Sequence, residues 1–189
     1  MIVLTINKFF TDLSDTVYTD PHTEDPQDHM TKQALKDLSE SLANTVFVPV
    51  LKAGTKHGAL AEIADSFVNA GKVAPEFRDS VFASLAEREG KMSTGMQYGV
   101  AIPHAKTDVV GRLATLVALS PAGIDFDSID RAPACVFVAT LSPRADANSH
   151  IKFLAEVSRQ LSNRRIREQL CAAKTREEMI NAICGDPTE

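Results

Sequence analysis

The sequence predicts an α/β protein: a single domain with a mixed sheet of four to five strands, flanked by helices on both faces. Three short runs at 45–51, 113–119 and 134–140 are rich in β-branched residues and apolar almost throughout. Such runs are typical of strands that are covered on both faces. Segments with helical periodicity lie before and after them. A chain of 189 residues is long enough for one domain with a sizeable core.

The N-terminal segment over residues 1–30 differs in composition from the rest of the chain. Residues 11–29 contain no Lys or Arg, and they include six acidic residues, namely Asp12, Asp15, Asp20, Glu24, Asp25 and Asp28. Such a segment cannot bury enough apolar surface to offset the entropy of ordering it. We therefore expect an acidic tail or extension over 1–30 and a folded domain over 31–186, which begins with a short helix.

Two amphipathic helices are predicted after the first strand. Residues 57–71 carry apolar residues at helical spacing up to Gly71, which ends the pattern. Residues 74–89 repeat this arrangement, with Pro75 in the first turn, where its missing N–H costs nothing. These two helices lead into the strands at the centre of the chain.

The rest of the chain contains further strands and then helices. Residues 96–102 form a candidate strand that ends at Pro103, and residues 120–133 are interpreted as a turn-rich connection. Three helical segments follow, at 149–163, 164–173 and 175–184. Thr175 and Glu178 have the spacing of a capping box at the start of the last helix.

Composition and charge exclude several classes of protein. The net charge of −5 argues against a nucleic-acid-binding protein, which normally carries a basic surplus. The start of the chain lacks the pattern of a signal peptide, and no apolar run is long enough to span a bilayer. The cysteines Cys135, Cys171 and Cys184 are too widely spaced for a metal or redox pair. We expect a cytoplasmic protein whose cysteines are buried free thiols.

Histidines at the ends of predicted elements are the candidates for chemistry. His104 follows the strand that ends at Pro103, and His150 lies in the first turn of a helix, where free N–H groups favour an anion. An imidazole with a pKa near neutrality can act as nucleophile, base or phosphoryl carrier. Arg88, at the end of a helix, is the candidate cation, although its position also suits a solvated side chain. The common nucleotide-binding, zinc-protease and serine-hydrolase motifs are absent from the sequence.

The stretch from Arg88 to Lys106 resembles the active-site segment of a known family. Its pattern is Arg-Glu, then Ser-Thr-Gly at 93–95, then Gly-Val-Ala-Ile-Pro-His at 99–104. This segment is similar to that of enzyme IIA domains of the fructose/mannitol (type 2) class. These domains belong to the bacterial phosphoenolpyruvate-dependent sugar phosphotransferase system and include nitrogen-type IIA proteins. The resemblance extends over about Ser39–Ile183, although the family often has a second glycine near Gln97.

The resemblance implies a function and a set of site residues. His104 would accept a phosphoryl group from the phosphohistidine of the carrier HPr and pass it to an enzyme IIB domain. His150 would orient His104 or bind the phosphoryl oxygens, and Arg88 would supply positive charge. Thr94, Gly95 and Ser149 are expected to bind phosphate or form turns. No metal or cofactor is needed, because the phosphohistidine donor is already activated, and contact with a membrane would occur only through a permease partner.

Three alternatives remain open within and beside this interpretation. A fructose-like branch would serve sugar uptake, whereas a nitrogen-type protein would control regulatory targets through its phosphorylation state. The same fold could also be a binding module that is never phosphorylated. A metal site formed by His104 and His150 lacks a carboxylate or cysteine at a convincing spacing.

Overall fold

A five-stranded mixed sheet forms the centre of the protein. The computed structural model describes residue 36 and residues 38–185, except for the side chains of 147–149, so the extension predicted over 1–30 lies outside the described residues. The strands are β1 (Val46–Val48), β2 (Val100–Ala101), β3 (His104–Lys106), β4 (Ala114–Ile124) and β5 (Ala134–Ser142). Their order is β1-β4-β5-β2, and β3 also pairs with β5. The predicted α/β fold with a mixed sheet of four to five strands is confirmed.

Parallel and antiparallel pairs are combined in this sheet. The long strands β4 and β5 are antiparallel, with Val117 opposite Val138, while β1 runs parallel to β4. Both β2 and β3 run parallel to β5 along its other edge. The two long strands therefore form the middle of the sheet, as their continuous apolar sequence predicts.

The edge strand that carries His104 is interrupted. Ile102 and Pro103 separate β2 from β3, because Pro103 has no N–H to donate to the ladder. The carbonyl of Pro103 still accepts a hydrogen bond of 3.0 Å from the N–H of Thr140, and pairing then resumes with His104 opposite Thr140. His104 therefore begins a strand, whereas the sequence predicted that it follows one.

Helices cover both faces of the sheet. They are α1 (Lys56–Asn69), α2 (Arg78–Lys91), α3 (Ala147–Ser162), α4 (Arg164–Ala172) and α5 (Arg176–Cys184), with a 3-10 turn at Pro75–Phe77 and helical residues at 38–42. The side chain of Thr55 caps α1, and the predicted capping box of Thr175 and Glu178 is present in α5. Among the described residues, no helix is long and apolar enough to cross a membrane.

The core has two parts, one on each face of the sheet. Leu116 and Ala118 of β4 pack with α1 and α2, whereas Val117 and Leu119 pack on the opposite face with α3, α4 and α5. Side chains of a strand alternate between the two faces, so both sets must be apolar when both faces are covered. This explains why the central strands contain so few polar residues.

Three details differ from the sequence predictions. Strand β4 continues to Ile124 through an irregularity after Leu119, so the predicted connection at 120–133 begins as strand. Helix α3 begins at Ala147, two residues earlier than predicted. The three cysteines are free, but Cys171 is exposed and the other two are partly buried. The expectation that all three are buried was therefore wrong, because these side chains lie at the edges of the core.

Candidate functional site

The imidazole of His104 is held through both of its ring nitrogens. Its Nδ1 lies 2.9 Å from the carbonyl oxygen of Ile102, and the Nε atom of Arg88 lies 3.0 Å from its Nε2. A guanidinium only donates hydrogen bonds, so Nε2 must be the acceptor and Nδ1 carries the proton that is donated to Ile102. The ring is thus fixed in one tautomer, with its lone pair on Nε2.

Arg88 reaches His104 from the last turn of α2. Its Nη1 donates a hydrogen bond of 2.9 Å to the carbonyl oxygen of Met92, just beyond the end of this helix. Carbonyl groups at a helix end have no partner within the helix, and a cation there is also favoured by the helix dipole. The bond to Met92 therefore leaves Nε directed at the imidazole of His104.

His150 lies beside His104 and is almost completely buried. The two ring centroids are 5.3 Å apart, with an angle of 51° between the ring planes, and His150 is 2% exposed. Its Nδ1 lies 3.3 Å from the hydroxyl oxygen of Thr140, the residue opposite His104 in the sheet. The pairing of β3 with β5, together with the position of α3 directly after β5, brings the two histidines together.

Burial shifts the titration of both histidines. It lowers the pKa of His104; Arg88 lowers it further, whereas the hydrogen bond to Ile102 and the charge of Glu89 raise it. Burial also lowers the pKa of His150 to about 4, with further lowering by His104, Lys106 and Arg88. Both rings are therefore neutral at pH 7, and Arg88 carries the positive charge beside His104.

The segment 93–95 lies next to this cluster, and Gly95 forms an isolated antiparallel bridge with Ala101. Thr94 is buried, its N–H and hydroxyl both donate to the carboxylate of Glu89, and its carbonyl accepts a 3.0 Å hydrogen bond from the N–H of Ile102. A Cβ atom on Gly95 would lie 2.7 Å from the carbonyl oxygen of Phe126, so only glycine fits there. Residues 94–96 thus pair with 100–102, and the turn lies at 98–99 instead of at 93–95 as expected. The side chain of Ser149 lies outside the described part of the chain, and phosphate binding by these residues stays a prediction.

Lys56 and Asp127 were missed by the sequence analysis. The Nζ atom of Lys56 lies 2.6 Å from a carboxylate oxygen of Glu89 and 2.8 Å from one of Asp127. It also lies 4.9 Å from the centre of the Phe126 ring. Local sequence gives no sign of these contacts, since a lysine in the first turn of a helix is usually solvated.

The described residues contain no group of three or more His, Cys, Asp or Glu that could hold a metal ion. His104 and His150 adjoin each other, but their hydrogen bonds go to Ile102, Arg88 and Thr140. The arrangement instead combines a neutral nucleophilic nitrogen with a fixed guanidinium, which suits the handling of an anion.

Comparison with known families identifies the group to which this chain is related. Residues 40–184 match the family described as "Phosphoenolpyruvate-dependent sugar phosphotransferase system, EIIA 2". The chain belongs to this family. EIIA proteins are phosphotransferase components of that system, so the resemblance seen in the sequence is confirmed.

Relatives of this EIIA chain include both sugar-specific and nitrogen regulatory proteins. The fructose-specific EIIA component of Haloferax volcanii is 40% identical over 129 residues, which cover 68% of this chain and 82% of the relative. A nitrogen regulatory protein of Bradyrhizobium diazoefficiens is 29% identical over 150 residues, or 79% of this chain and 96% of that protein. The chain is therefore an EIIA-type protein of either the sugar-specific or the nitrogen regulatory kind.

Solved structures have the same fold. The nitrogen regulatory protein IIA-Ntr from Neisseria meningitidis has a TM-score of 0.66 at 24% identity, covering 74% of this chain and 93% of that one. The mannitol enzyme IIA of Escherichia coli, solved in complex with phosphorylated enzyme IIB, has a TM-score of 0.61 at 21% identity. That match covers 74% of this chain and 94% of the other.

Proposed function

We propose that this protein is a phosphocarrier that accepts a phosphoryl group on Nε2 of His104. The observation that carries the proposal is the hydrogen bond of 3.0 Å from Nε of Arg88 to that nitrogen. It places a fixed positive charge next to the one ring atom that has a free electron pair for attack. Phosphoryl transfer requires chiefly in-line positioning and charge stabilisation, and Arg88 supports the second of these requirements.

The chemical step follows from the tautomer of His104. The Nε2 lone pair attacks the phosphorus of a donor phosphohistidine, forming a P–N bond while the donor's P–N bond breaks and its electron pair returns to the donor ring. Nδ1 keeps its proton and donates it in a hydrogen bond to the carbonyl oxygen of Ile102. This bond stabilises the positive charge that the ring gains when Nε2 is phosphorylated. As the donor approaches and before the attack, the guanidinium of Arg88 turns its N–H groups from Nε2 to the phosphoryl oxygens, which frees the lone pair.

His150 assists this transfer as a neutral donor. When the hydroxyl of Thr140 donates to Nδ1 of His150, the ring proton is on Nε2 and is available to a phosphoryl oxygen on the neighbouring His104. Its pKa of about 4 keeps the ring uncharged at pH 7, so the positive charge next to the phosphoryl group comes from Arg88 and not from His150. His150 thereby stabilises the phosphorylated state and orients the group for onward transfer.

We infer that the donor is an HPr-like carrier and that the acceptor is an enzyme IIB domain, within the cytoplasm. The fructose-specific relative, at 40% identity, supports the branch that serves sugar uptake through a membrane permease. The mannitol enzyme IIA of the same fold, which was solved with phosphorylated IIB, supports a IIB acceptor. Residues 31–186 would constitute the phosphocarrier domain, preceded by the acidic extension.

A regulatory role is the second candidate. The nitrogen regulatory relative matches 79% of this chain, and the same site chemistry would serve a protein whose phosphorylation state is sensed by regulatory targets. The two roles differ in whether the phosphoryl group is passed on to an enzyme IIB domain. Transfer of phosphate from this protein to a fructose-type IIB domain supports sugar uptake, whereas retention of phosphate in its presence supports regulation.

Incubation with phosphoenolpyruvate, enzyme I and HPr tests the proposal directly. We expect acid-labile phosphate on the unaltered protein and none on His104→Ala. His57→Ala is the matched control, because His57 is exposed and its ring packs against Phe82 at a centroid distance of 4.9 Å, away from the site. No phosphate on the unaltered protein would favour a binding module, and phosphate on His104→Ala would show that another residue is the acceptor.

A further inference from the structure

The ammonium group of Lys56 connects several segments behind the candidate site. Its Nζ lies 2.6 Å from Glu89 and 2.8 Å from Asp127, and it donates to the hydroxyl of Ser93 at 3.3 Å. Lys56 begins α1, Glu89 lies near the end of α2, Ser93 lies just beyond that helix, and Asp127 follows β4. One side chain thus joins the start of α1 to the end of α2 and to the segment after β4.

Glu89 is the partner that places Lys56 next to the chemistry. It follows Arg88 directly in α2, and consecutive helical residues point about 100° apart, so the two side chains leave the helix in different directions. Arg88 extends to His104, while the carboxylate of Glu89 is buried and meets Lys56. Any displacement of Glu89 therefore moves the backbone from which Arg88 projects.

A continuous series of hydrogen bonds also leads from Lys56 to His104. Glu89 accepts from the N–H of Thr94, whose carbonyl accepts from the N–H of Ile102, and the carbonyl of Ile102 accepts from Nδ1 of His104. Each bond in the series fixes the peptide group that makes the next one, and such chains strengthen cooperatively. Both the nucleophile and its guanidinium thus depend on the position of Glu89.

We propose that Lys56 is a positioning residue for phosphoryl transfer at His104, an inference that rests on the function proposed above. Lys56 touches neither His104 nor the incoming phosphate. It neutralises the buried carboxylate of Glu89 and thereby keeps Arg88 and the backbone of Ile102 in register with the imidazole. Glu89 is only 8% exposed, so without its cation its carboxylate would be an unpaired buried charge that draws in water, and its bonds to Thr94 would loosen.

Steady-state kinetics with phospho-HPr, made from phosphoenolpyruvate and enzyme I, test this role. We expect Lys56→Met to lower kcat for acceptance by about 10-fold to 100-fold, the range typical of small displacements of reacting groups. KM should stay within about twofold, because the donor protein docks on the outer surface. Lys56→Arg, which keeps the charge, should recover most of the lost kcat.

Lys91→Met is the matched control. Lys91 shares the last turn of α2 with Arg88 and pairs with Glu87 at 2.7 Å. This pair is exposed and lies outside the hydrogen-bonded series. We expect this variant to keep the unaltered kcat. The NMR signal of the Arg88 Nε–H, protected by its bond to His104, should be lost or shifted in Lys56→Met and unchanged in Lys91→Met.

The outcomes separate this inference from the proposed function. Absence of phosphate on the unaltered protein would overturn both. Normal acceptance by the unaltered protein, with equal kcat in Lys56→Met and Lys91→Met, would overturn the role of Lys56 alone. If Lys56→Met does not fold, Lys56→Gln takes its place in the comparison, because its amide can still donate a hydrogen bond but carries no charge to neutralise Glu89, and an unaltered kcat in that variant would equally overturn the inference.

Discussion

Nε of Arg88 donates its hydrogen bond to the same nitrogen of His104 that has the free electron pair. In the unphosphorylated protein the guanidinium therefore occupies the direction from which phosphorus must arrive. When a phosphoryl group approaches, Arg88 exchanges its acceptor on His104 for a phosphoryl oxygen. This exchange is favourable because phosphoryl oxygens are stronger acceptors for a guanidinium than a neutral imidazole is. The positive charge is thus in place before transfer and needs only a small rotation.

Replacement of Arg88 is expected to slow phosphoryl acceptance strongly. Arg88→Met removes both the charge and the donors, so the rate should fall by about 10²-fold to 10³-fold, as for the loss of one preorganised donor elsewhere. Arg88→Lys should recover only part of this rate, because an ammonium cannot bond Met92 and His104 in the geometry of a guanidinium. Rapid-quench measurement of labelled protein gives both rates, and equal rates for Arg88→Lys and the unaltered protein would contradict this geometry.

The pH dependence of acceptance should follow the lowered pKa of His104. Protonated imidazole has no lone pair on Nε2, so acceptance is lost as the pH falls through the pKa of the folded protein. Burial places that pKa below the ordinary value of 6.5, and acceptance should therefore remain more than half-maximal at pH 6.5. Because Arg88 contributes to the lowering, Arg88→Met should shift the midpoint to higher pH.

NMR titration of His104 in the protein without its donor measures this midpoint and avoids the titration of HPr itself. The signals of His104 and His150 must be followed together, since neighbouring groups titrate as a pair. A midpoint at or above 6.5 in the unaltered protein, or one that does not move in Arg88→Met, would be inconsistent with the geometry of the site.

Buried neutral His150 should make the fold sensitive to acid. Its pKa is about 4 when folded, against 6.5 for the free side chain, so the unfolded chain binds a proton between these values that the folded chain does not. The stability contribution is fully present above pH 6.5 and is lost as the pH falls towards 4. The total loss is about 3 kcal/mol in the free energy of unfolding.

Urea unfolding of the unaltered protein and of His150→Asn across this pH range isolates the effect. The variant should be less stable at neutral pH, since it loses packing against His104, but its stability should fall less steeply with acid. The same variant should still accept phosphate slowly from HPr and should transfer it onward poorly. If the free energies of unfolding of the two proteins fell equally steeply with pH, His150 would not be the buried group that titrates.

Much of the fold can be predicted from local patterns, because the central strands are covered on both faces. Continuous apolar runs identify β4 and β5, whereas the approach of His104 to His150 depends on the pairing of β3 with β5, which local patterns leave open. The contacts of Lys56 with Glu89 and Asp127 could not be predicted in this way. They arise only when α1, α2 and the segment after β4 meet, and nothing in the local sequence distinguishes this lysine from a solvated one.

The boundaries of the strands depend on similar long-range effects. Residues Ser120–Ile124 contain proline and glycine, which locally favour a turn, yet they extend β4 because Ile124 pairs with Ala134 after an irregularity. The resumption of pairing at His104 likewise requires β5 alongside, since the proline before it would otherwise end the strand. Tertiary pairing thus overrides the local preference at both places, and in the second it fixes the backbone of the candidate nucleophile.

The segment 93–95 should be intolerant of any side chain at Gly95. A Cβ atom there would lie 2.7 Å from the carbonyl oxygen of Phe126 and 2.8 Å from Cα of Ser128, both of which are backbone atoms that cannot rotate away. We expect Gly95→Ala to lower the free energy of unfolding by about 1–3 kcal/mol.

Gly90→Ala is the matched control for this substitution. Gly90 lies in the last turn of α2 with nothing within 4 Å of the added Cβ, so alanine should stabilise the helix by about 0.5–1 kcal/mol. Chemical denaturation of both variants and of the unaltered protein at one pH gives the change in the free energy of unfolding for each substitution. Because Thr94 in the same segment accepts a hydrogen bond from the N–H of Ile102, Gly95→Ala should additionally slow phosphoryl acceptance under conditions in which it remains folded. A Gly95→Ala protein as stable and as active as Gly90→Ala would show that the segment 93–95 can move away from Phe126.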